Sequence, residues 1–236
     1  MGESVMKLMT FNIQHCLNYI SREIDMDNVA EVIRRFSPDL LSLNEVYGKG
    51  ERPEFLPQAE MLSELTDMPY FYFAKAIDVA GPNPYGVALL SRVPIASAEV
   101  IPIPDPVERG YDGYYETRCL LKAKLQNGLT VLVTHFGLNP DEQQNAVATV
   151  VQELEEKQCI LMGDFNTFPE NAVLDPIRAR MQDTAQRFTR PLLSYPSDKP
   201  KEKIDYIFVS SDFTVVSADI PEIVASDHRP HIACIE

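Results

Sequence analysis

The sequence predicts a single α/β domain in which two mixed β-sheets pack together with helices outside. Three observations predict it. Short apolar runs rich in β-branched and aromatic residues recur along the chain, several of them apolar on both faces. Segments of 3.6-residue periodicity separate some of these runs, and hairpin-like neighbours separate others. No repeat, low-complexity tract or linker divides the 236 residues, of which 45% are hydrophobic, enough for one large core.

In chain order the strand-like runs are VMKLMTFN, DLLSLNE, YFYFAKA, YGVALLS, TRCLLKAKL, LTVLVTH, QCILMGDFN, IDYIFVS and HIACIE. The first helix aligns Val29, Val32, Ile33 and Phe36 on one stripe, opens after Asp25 or Asp27 and stops before Pro38. Another opens at Asn139-Pro140-Asp141 and lines up Val147, Val150, Val151 and Leu154. Shorter helices are expected around 57–66 and 171–180. Three loops rich in Pro, Gly or charge, at 47–57, 102–116 and 188–203, are long for a compact domain, and function is the favoured reason.

Composition narrows the partners. Against 21 basic residues stand 35 acidic ones, a net charge of −14 that repels polyanions and disfavours non-specific nucleic-acid docking. The four cysteines, Cys16, Cys119, Cys159 and Cys234, form no C-x-x-C pair, so neither zinc spacing nor a disulfide framework is indicated. No apolar stretch approaches the ~18 residues that a membrane span needs. The opening MGESVMKLMTFN lacks a signal-peptide apolar region, and Met6 stands where a myristoylation motif has Ser or Thr. These features predict a cytoplasmic protein with no stable membrane insertion, whose oligomeric state is left open with a monomer favoured; residues 1–5 read as extraneous, since Met6 could equally begin the first strand.

The placement of polar residues is more informative. Four apolar strands finish on a side chain able to bind a metal or move a proton: the first at Asn12, the second at Glu45, LTVLVT at His135, and QCILMG at Asp164 followed by Asn166. Period-2 spacing past Gly163 would put Asp164 and Asn166 on one side and Phe165 in the core, whereas an Asx turn is an equal reading of that segment. Asp205 begins IDYIFVS, and Asp227-His228 precedes the last strand. If those two strands run antiparallel to the first four, every chemically capable residue reaches one rim. Glu45, Asp227 and the amide oxygen of Asn12 are hard donors suited to Mg²⁺ or Mn²⁺. His228 with Asp205 forms a carboxylate–imidazole pair, and Asp164 is placed to orient or deprotonate a water, a set suited to in-line attack on phosphorus.

These residues resemble the endonuclease/exonuclease/phosphatase superfamily of Mg²⁺-dependent phosphoesterases. TFNIQH, LSLNEV, VLVTHF, LMGDFNTFP, KIDYIFVS and ASDHRP carry the resemblance, in the family's order, across residues 8 to 232. The resemblance implies a four-layer α/β sandwich of two mixed, mostly antiparallel sheets with its site at one edge. It implies that Glu45 is the main metal ligand, that Asn12 lies close to metal and phosphate, and that Asp227 assists at the metal. It further implies a His228–Asp205 catalytic dyad, Asp164 aligning the nucleophilic water, and Asn166 holding a phosphate oxygen. His135 would act on the phosphate or the leaving group. Arg118 matches a phosphate-facing residue only loosely, and a salt-bridged strand-end arginine is as good a reading. Gln14 stands where some nucleases of the superfamily carry an acidic ligand, which moves the reading away from abasic-site repair. His15 and His231 receive no role. The implied substrate is a small or exposed phosphoester, a monoester or a diester, with Tyr111, Tyr114, Tyr115 and Tyr195 as candidate pocket walls. A nuclease with a nucleic-acid substrate is the alternative within the superfamily, and a catalytically silent binding protein the alternative outside it.

Overall fold

A computed structural model describes residues 5–236; residues 1–4, part of the stretch read for targeting signals, lie outside the described residues. Each of two six-stranded sheets is assembled around one parallel pair. In the first, β1 (Met6–Asn12) and β2 (Leu40–Tyr47) run parallel. Antiparallel strands flank them: β12 (His231–Ile235) and then β11 (Val215–Asp219) beside β1, with β4 (Pro84–Ser91) and then β3 (Tyr70–Asp78) beside β2. The second sheet repeats the plan with β7 (Thr130–His135) parallel to β8 (Cys159–Asp164). Beside β7 lie β6 (Cys119–Leu125) and β5 (Ile95–Pro102), and beside β8 lie β10 (Asp205–Ser210) and β9 (Met181–Asp183).

Alternate residues of the central strands enter different layers, which is why those runs are apolar throughout. Leu8, Leu40, Val131, Met162 and Ile207 meet between the sheets. Their neighbours Met9, Phe11 and Leu43 pack outward with α1 (Met26–Phe36) and α2 (Gln58–Leu65) through Val29, Ile33 and Leu62. On the other side Leu132, Leu161 and Phe208 meet α3 (Pro140–Glu153) and α4 (Asp175–Arg178) through Val147, Val150 and Ile177. The result is the expected four-layer sandwich. Both long helices start as the sequence predicts. Asp25 accepts the N–H of Asn28 at 2.9 Å, and the N–H of Asn139 donates to Glu142 at 3.1 Å, ahead of Pro140.

Three strands, β5, β9 and β11, are absent from the sequence-based reading, and each forms a sheet edge. An edge strand has one ladder partner and a solvated side, so its sequence is not uniformly apolar. Among the described residues no helix is long and apolar enough to cross a membrane. Cys16, Cys119 and Cys159 are buried free thiols, and Cys234 is half-buried.

One backbone position fixes how β8 approaches β7. Gly163 has φ of 154°, and a Cβ there would lie 1.9 Å from the carbonyl oxygen of Thr134. Gly163→Ala should therefore destabilise the domain by about 3 kcal/mol or more, read as a lowered urea midpoint. A loss under about 0.5 kcal/mol would show that the two strands can separate freely at this point.

Candidate active site

The ladder register places Asp164 opposite both His135 on β7 and Asp205 on β10. Parallel strands bring their carboxyl ends to one rim, and an antiparallel neighbour brings its amino end there. In the first sheet Asn12 and Asn44 are in register at the corresponding edge, and Asp227 and His228 immediately precede β12. The expected convergence is therefore present in the fold.

Glu45 owes its direction to an irregularity. The β2–β4 register shifts between Leu43 and Val46, and Glu45 adopts a left-handed φ of 57°. Such a bulge turns one side chain out of the pleat. Asn12 then spans the sheets: its Nδ2 donates to Glu45 Oε1 and to Asp164 Oδ2, each at 3.0 Å. Its Oδ1 accepts the N–H of Gln14 at 3.1 Å.

Asp164 Oδ2 faces two imidazoles, with His135 Nε2 at 3.5 Å and His228 Nε2 at 3.6 Å. His228 Nδ1 donates to Asp205 Oδ2 at 2.9 Å. Arg118 Nη1 lies 2.9 Å from His135 Nδ1. A guanidinium only donates, so Nδ1 accepts and the neutral ring carries its proton on Nε2, where the nearby Asn166 amide nitrogen at 3.1 Å is then a neighbour and not a hydrogen-bond partner. The same arginine pairs with Glu116 at 2.6 Å, so the salt-bridge reading of Arg118 holds, although the residue also lines the cleft. Past Asp164 the pleat stops. Asn166 is left-handed with φ of 47°, and its N–H donates to Asp164 Oδ1 at 2.9 Å, which is the Asx turn. That turn, not continued strand alternation, swings the Asn166 amide to Phe136 O at 3.0 Å and leaves its nitrogen 3.1 Å from His135 Nε2. Phe165 goes to the core as expected.

Electrostatics divides the two histidines. For His228, burial opposes protonation, but the carboxylates of Asp205 and Asp164 overcome it and raise the ring to about 10. Burial, Arg118 and His228 all push His135 well below its ordinary value. Burial raises Asp164 far above the usual carboxylate range, against the opposing charge of His228. Asp227 is also raised, by burial first and by the Glu45 charge, again against His228.

These groups open on a cleft of about 380 Å³. Of the tyrosines proposed as walls, Tyr114 and Tyr195 line it, and Tyr195 packs 4.8 Å from the His228 ring. Tyr111 and Tyr115 do not: the Tyr115 hydroxyl donates to Asp141 at 2.7 Å and accepts the N–H of Tyr111 at 3.1 Å, which clasps the loop to α3. Tyr85, Glu116 and Glu202 line the cleft without having been foreseen. Tyr85 was findable, because it begins a strand antiparallel to β2 and sits opposite Tyr47, the same logic that located Asp205. His15 stacks on Tyr47 with ring centres 4.7 Å apart, and His231 starts β12 with Nδ1 3.2 Å from the carbonyl oxygen of Asp205.

A family model described as Endonuclease/Exonuclease/phosphatase family matches residues 9–228. The chain belongs to this family. Its members are generally hydrolases of phosphoesters and typically use divalent metals. The chain is 26% identical over 247 residues to the Escherichia coli (strain K12) protein YbhP, covering 95% of this chain and 93% of that one. Among solved structures, the endonuclease/exonuclease/phosphatase from Beutenbergia cavernae superposes with a TM-score of 0.83 at 21% identity, over 99% of this chain and 72% of that one. The Bacteroides thetaiotaomicron mannosyl-6-phosphatase superposes with a TM-score of 0.76 at 15% identity, over 98% of this chain and 99% of that one. These superpositions establish a shared fold.

Behind the dyad, Lys203 is buried, with Nζ donating to the carbonyl of Asp205 at 3.0 Å and lying 3.2 Å from the Tyr206 ring centre. Burial lowers it from 10.5 to about 8. Below about pH 8 it is charged folded and unfolded alike; from there to 10.5 only the folded chain has shed the proton, so stability rises with pH. The urea midpoint of the native protein, measured relative to Lys203→Met, should climb across that window. A flat difference would mean that the ammonium reaches solvent.

Proposed function

We propose that this protein is a divalent-metal-dependent phosphoesterase that cleaves a small or exposed phosphoester by in-line attack of an activated water. The observation that carries the reading is the buried Asp164 carboxylate at the cleft floor, beside an imidazolium held by Asp205. A carboxylate of raised basicity accepts a proton from water near neutral pH, and a fixed imidazolium offers N–H to a phosphoryl oxygen. In the step envisaged, water oxygen bonds to phosphorus, its proton passes to Asp164, and the phosphorus–oxygen ester bond breaks. The departing alkoxide takes a proton from solvent at the open mouth of the cleft. His228 holds the phosphoryl oxygen through Nε2, and His135 offers its Nε2–H to the same group. Asn166 adds an amide to the phosphoryl pocket, and Arg118 acts by fixing the His135 tautomer.

The donor set fits a hard divalent cation. Glu45 and Asp227 face the cleft together, and the neighbouring Glu116 is raised by burial and by the Glu45 charge, against Arg118. In the loop after β1, Gln14 Oε1 is buried without a partner among the described residues. We assign Glu45 and Asp227 as the ligands, with Asn12 holding the Glu45 and Asp164 carboxylates in place rather than facing the ion with its engaged oxygen. Asp164, Asp205 and His228 also place ligand atoms within 4.8 Å of one another, but a protonated His228 bound to Asp205 has no lone pair to give. When bound, the cation neutralises phosphoryl charge and lowers the pKa of water. The fold shared with a mannosyl-6-phosphatase supports a small substrate.

Asp164→Asn and His228→Ala should each cut turnover on the order of 10²-fold or more at saturating Mg²⁺ or Mn²⁺ while the circular dichroism spectrum is unchanged. Wild-type turnover in either variant would remove it from the reaction. Chelation should abolish activity and added Mg²⁺ or Mn²⁺ restore it, and Glu45→Gln should raise the metal concentration for half-activation by about tenfold or more. An unshifted metal titration would exclude Glu45 as a ligand.

A further inference from the structure

The charges around the cleft constrain what else its substrate can carry. Five carboxylates line it, those of Glu45, Glu116, Asp164, Glu202 and Asp227, with no lysine and with Arg118 as the one guanidinium. That guanidinium is already engaged, at 2.6 Å from Glu116 and 2.9 Å from His135. One phosphoryl group can be received by His228 and a cation at Glu45 and Asp227. A second phosphoryl elsewhere in the cleft would face carboxylates with no free cation, and like charges brought together at close range repel.

The wall that remains for the alcohol is built and partly aromatic. Tyr114 is held where it is because the Asn139 amide donates to its carbonyl at 2.9 Å and the N–H of Glu116 donates to Glu142 at 3.2 Å. The Tyr114 hydroxyl donates to Glu116 at 3.3 Å, which leaves acceptor capacity on both groups. Glu202 lines the cleft and also a neighbouring pocket beside Phe168 and Leu193; its carboxylate has no hydrogen-bond or ion-pair partner among the described residues, and its backbone is tied to Tyr195 at 3.0 Å and 2.9 Å. Phenol rings beside free carboxylate and phenol oxygens suit an alcohol that offers C–H faces and hydroxyl donors. At about 380 Å³ the space falls near the small end of ligand pockets, which span roughly 300–1,000 Å³.

We infer that the substrate carries a single phosphoryl group on an uncharged, polyhydroxylated alcohol of sugar size, selected by Glu116, Glu202, Tyr114 and Tyr195. The inference rests on the phosphoesterase reading above. A cationic amino-alcohol would meet the same acids, but an ammonium cage needs ring faces on several sides. Tyr114 is 66% exposed, and the Tyr195 ring lies against His228.

The test is a steady-state panel with Mg²⁺ or Mn²⁺. p-Nitrophenyl phosphate and bis(p-nitrophenyl) phosphate report the reaction itself. Hexose and glycerol monophosphates and their methyl diesters, a hexose bisphosphate, a nucleoside triphosphate and phosphocholine report the alcohol. The expected result is a kcat/KM for the best polyol ester at least about tenfold above the bisphosphate, the triphosphate and phosphocholine. Glu116→Gln and Glu202→Gln should each narrow the gap between polyol ester and bisphosphate by several-fold. Hydrolysis of the aryl esters with bisphosphate, triphosphate or phosphocholine equal to or better than every polyol ester would overturn the inference and leave the phosphoesterase reading standing. Selectivity unaltered in both variants would overturn the role of those carboxylates. No hydrolysis of any ester would overturn both.

Discussion

Asp164 is 1% exposed, and its Oδ2 accepts from Asn12 across the gap between the two sheets. A carboxylate taken that far from water costs several kcal/mol unless donors surround it, so much of the rim is built around that oxygen. Asn12 donates to it directly and the Asn166 N–H donates to its partner Oδ1, while His135 and His228 stand just beyond hydrogen-bond length with their Nε2 atoms toward Oδ2. The same desolvation that makes the group expensive raises its basicity, so the structural cost and the chemical usefulness have one origin. Gly163 lets the β8 backbone come close enough to β7 for Asp164 to reach this position.

The repeated sheet plan explains why the two sheets can share a site at all. Each has one parallel pair with an antiparallel strand laid beside it, β12 on β1 and β10 on β8. Carboxyl ends and amino ends therefore alternate along a single edge. Asp205 begins β10 and His228 lies in the bend that leads into β12, so the two approach from opposite sheets and meet at 2.9 Å. The dyad is thus a cross-sheet bond as well as a chemical pair. Loss of packing between the layers would separate its two halves, so the integrity of the inter-sheet core and the integrity of the site are one constraint.

Much of this was legible in the sequence because strand termini are legible: an apolar run that ends on Asn12, Glu45, His135 or Asp164 announces where it leaves the core. The adjacent Asp227 and His228 in ASDHRP were harder, since neighbours on a strand face opposite ways, but residues 225–228 lie in a bend before β12, free of the pleat. What stayed hidden falls into two physical kinds. The edge strands β5, β9 and β11 lack the uniform apolar pattern that double burial imposes. The second kind is backbone geometry that residue type does not encode. The bulge at Glu45 and the left-handed turn at Asn166 are conformations that any sequence scan with a period of 2 misplaces.

Left-handed geometry recurs in the site and in the loop after β1, although it is found elsewhere in the chain too. Gln14, His15, Cys16, Glu45 and Asn166 all have positive φ, although none is glycine. Such conformations cost of order 1 kcal/mol each and persist only where surroundings over-determine them. Here the surroundings do: Gln14 N–H is tied to Asn12, His15 O accepts from Gln58, Glu45 is tied to Asn12, and Asn166 N–H is tied to Asp164. The polar groups of the rim therefore hold one another in conformations that the chain would otherwise leave. Rigidity at the floor of the cleft follows from this mutual restraint. Most of the tyrosine and glutamate walls come from the 102–116 and 188–203 loops, joined to the floor chiefly through the Glu116–Arg118 pair. Under the proposed function, a scaffold divided in this way holds the reacting groups at the floor and leaves the choice of alcohol to side chains of the walls.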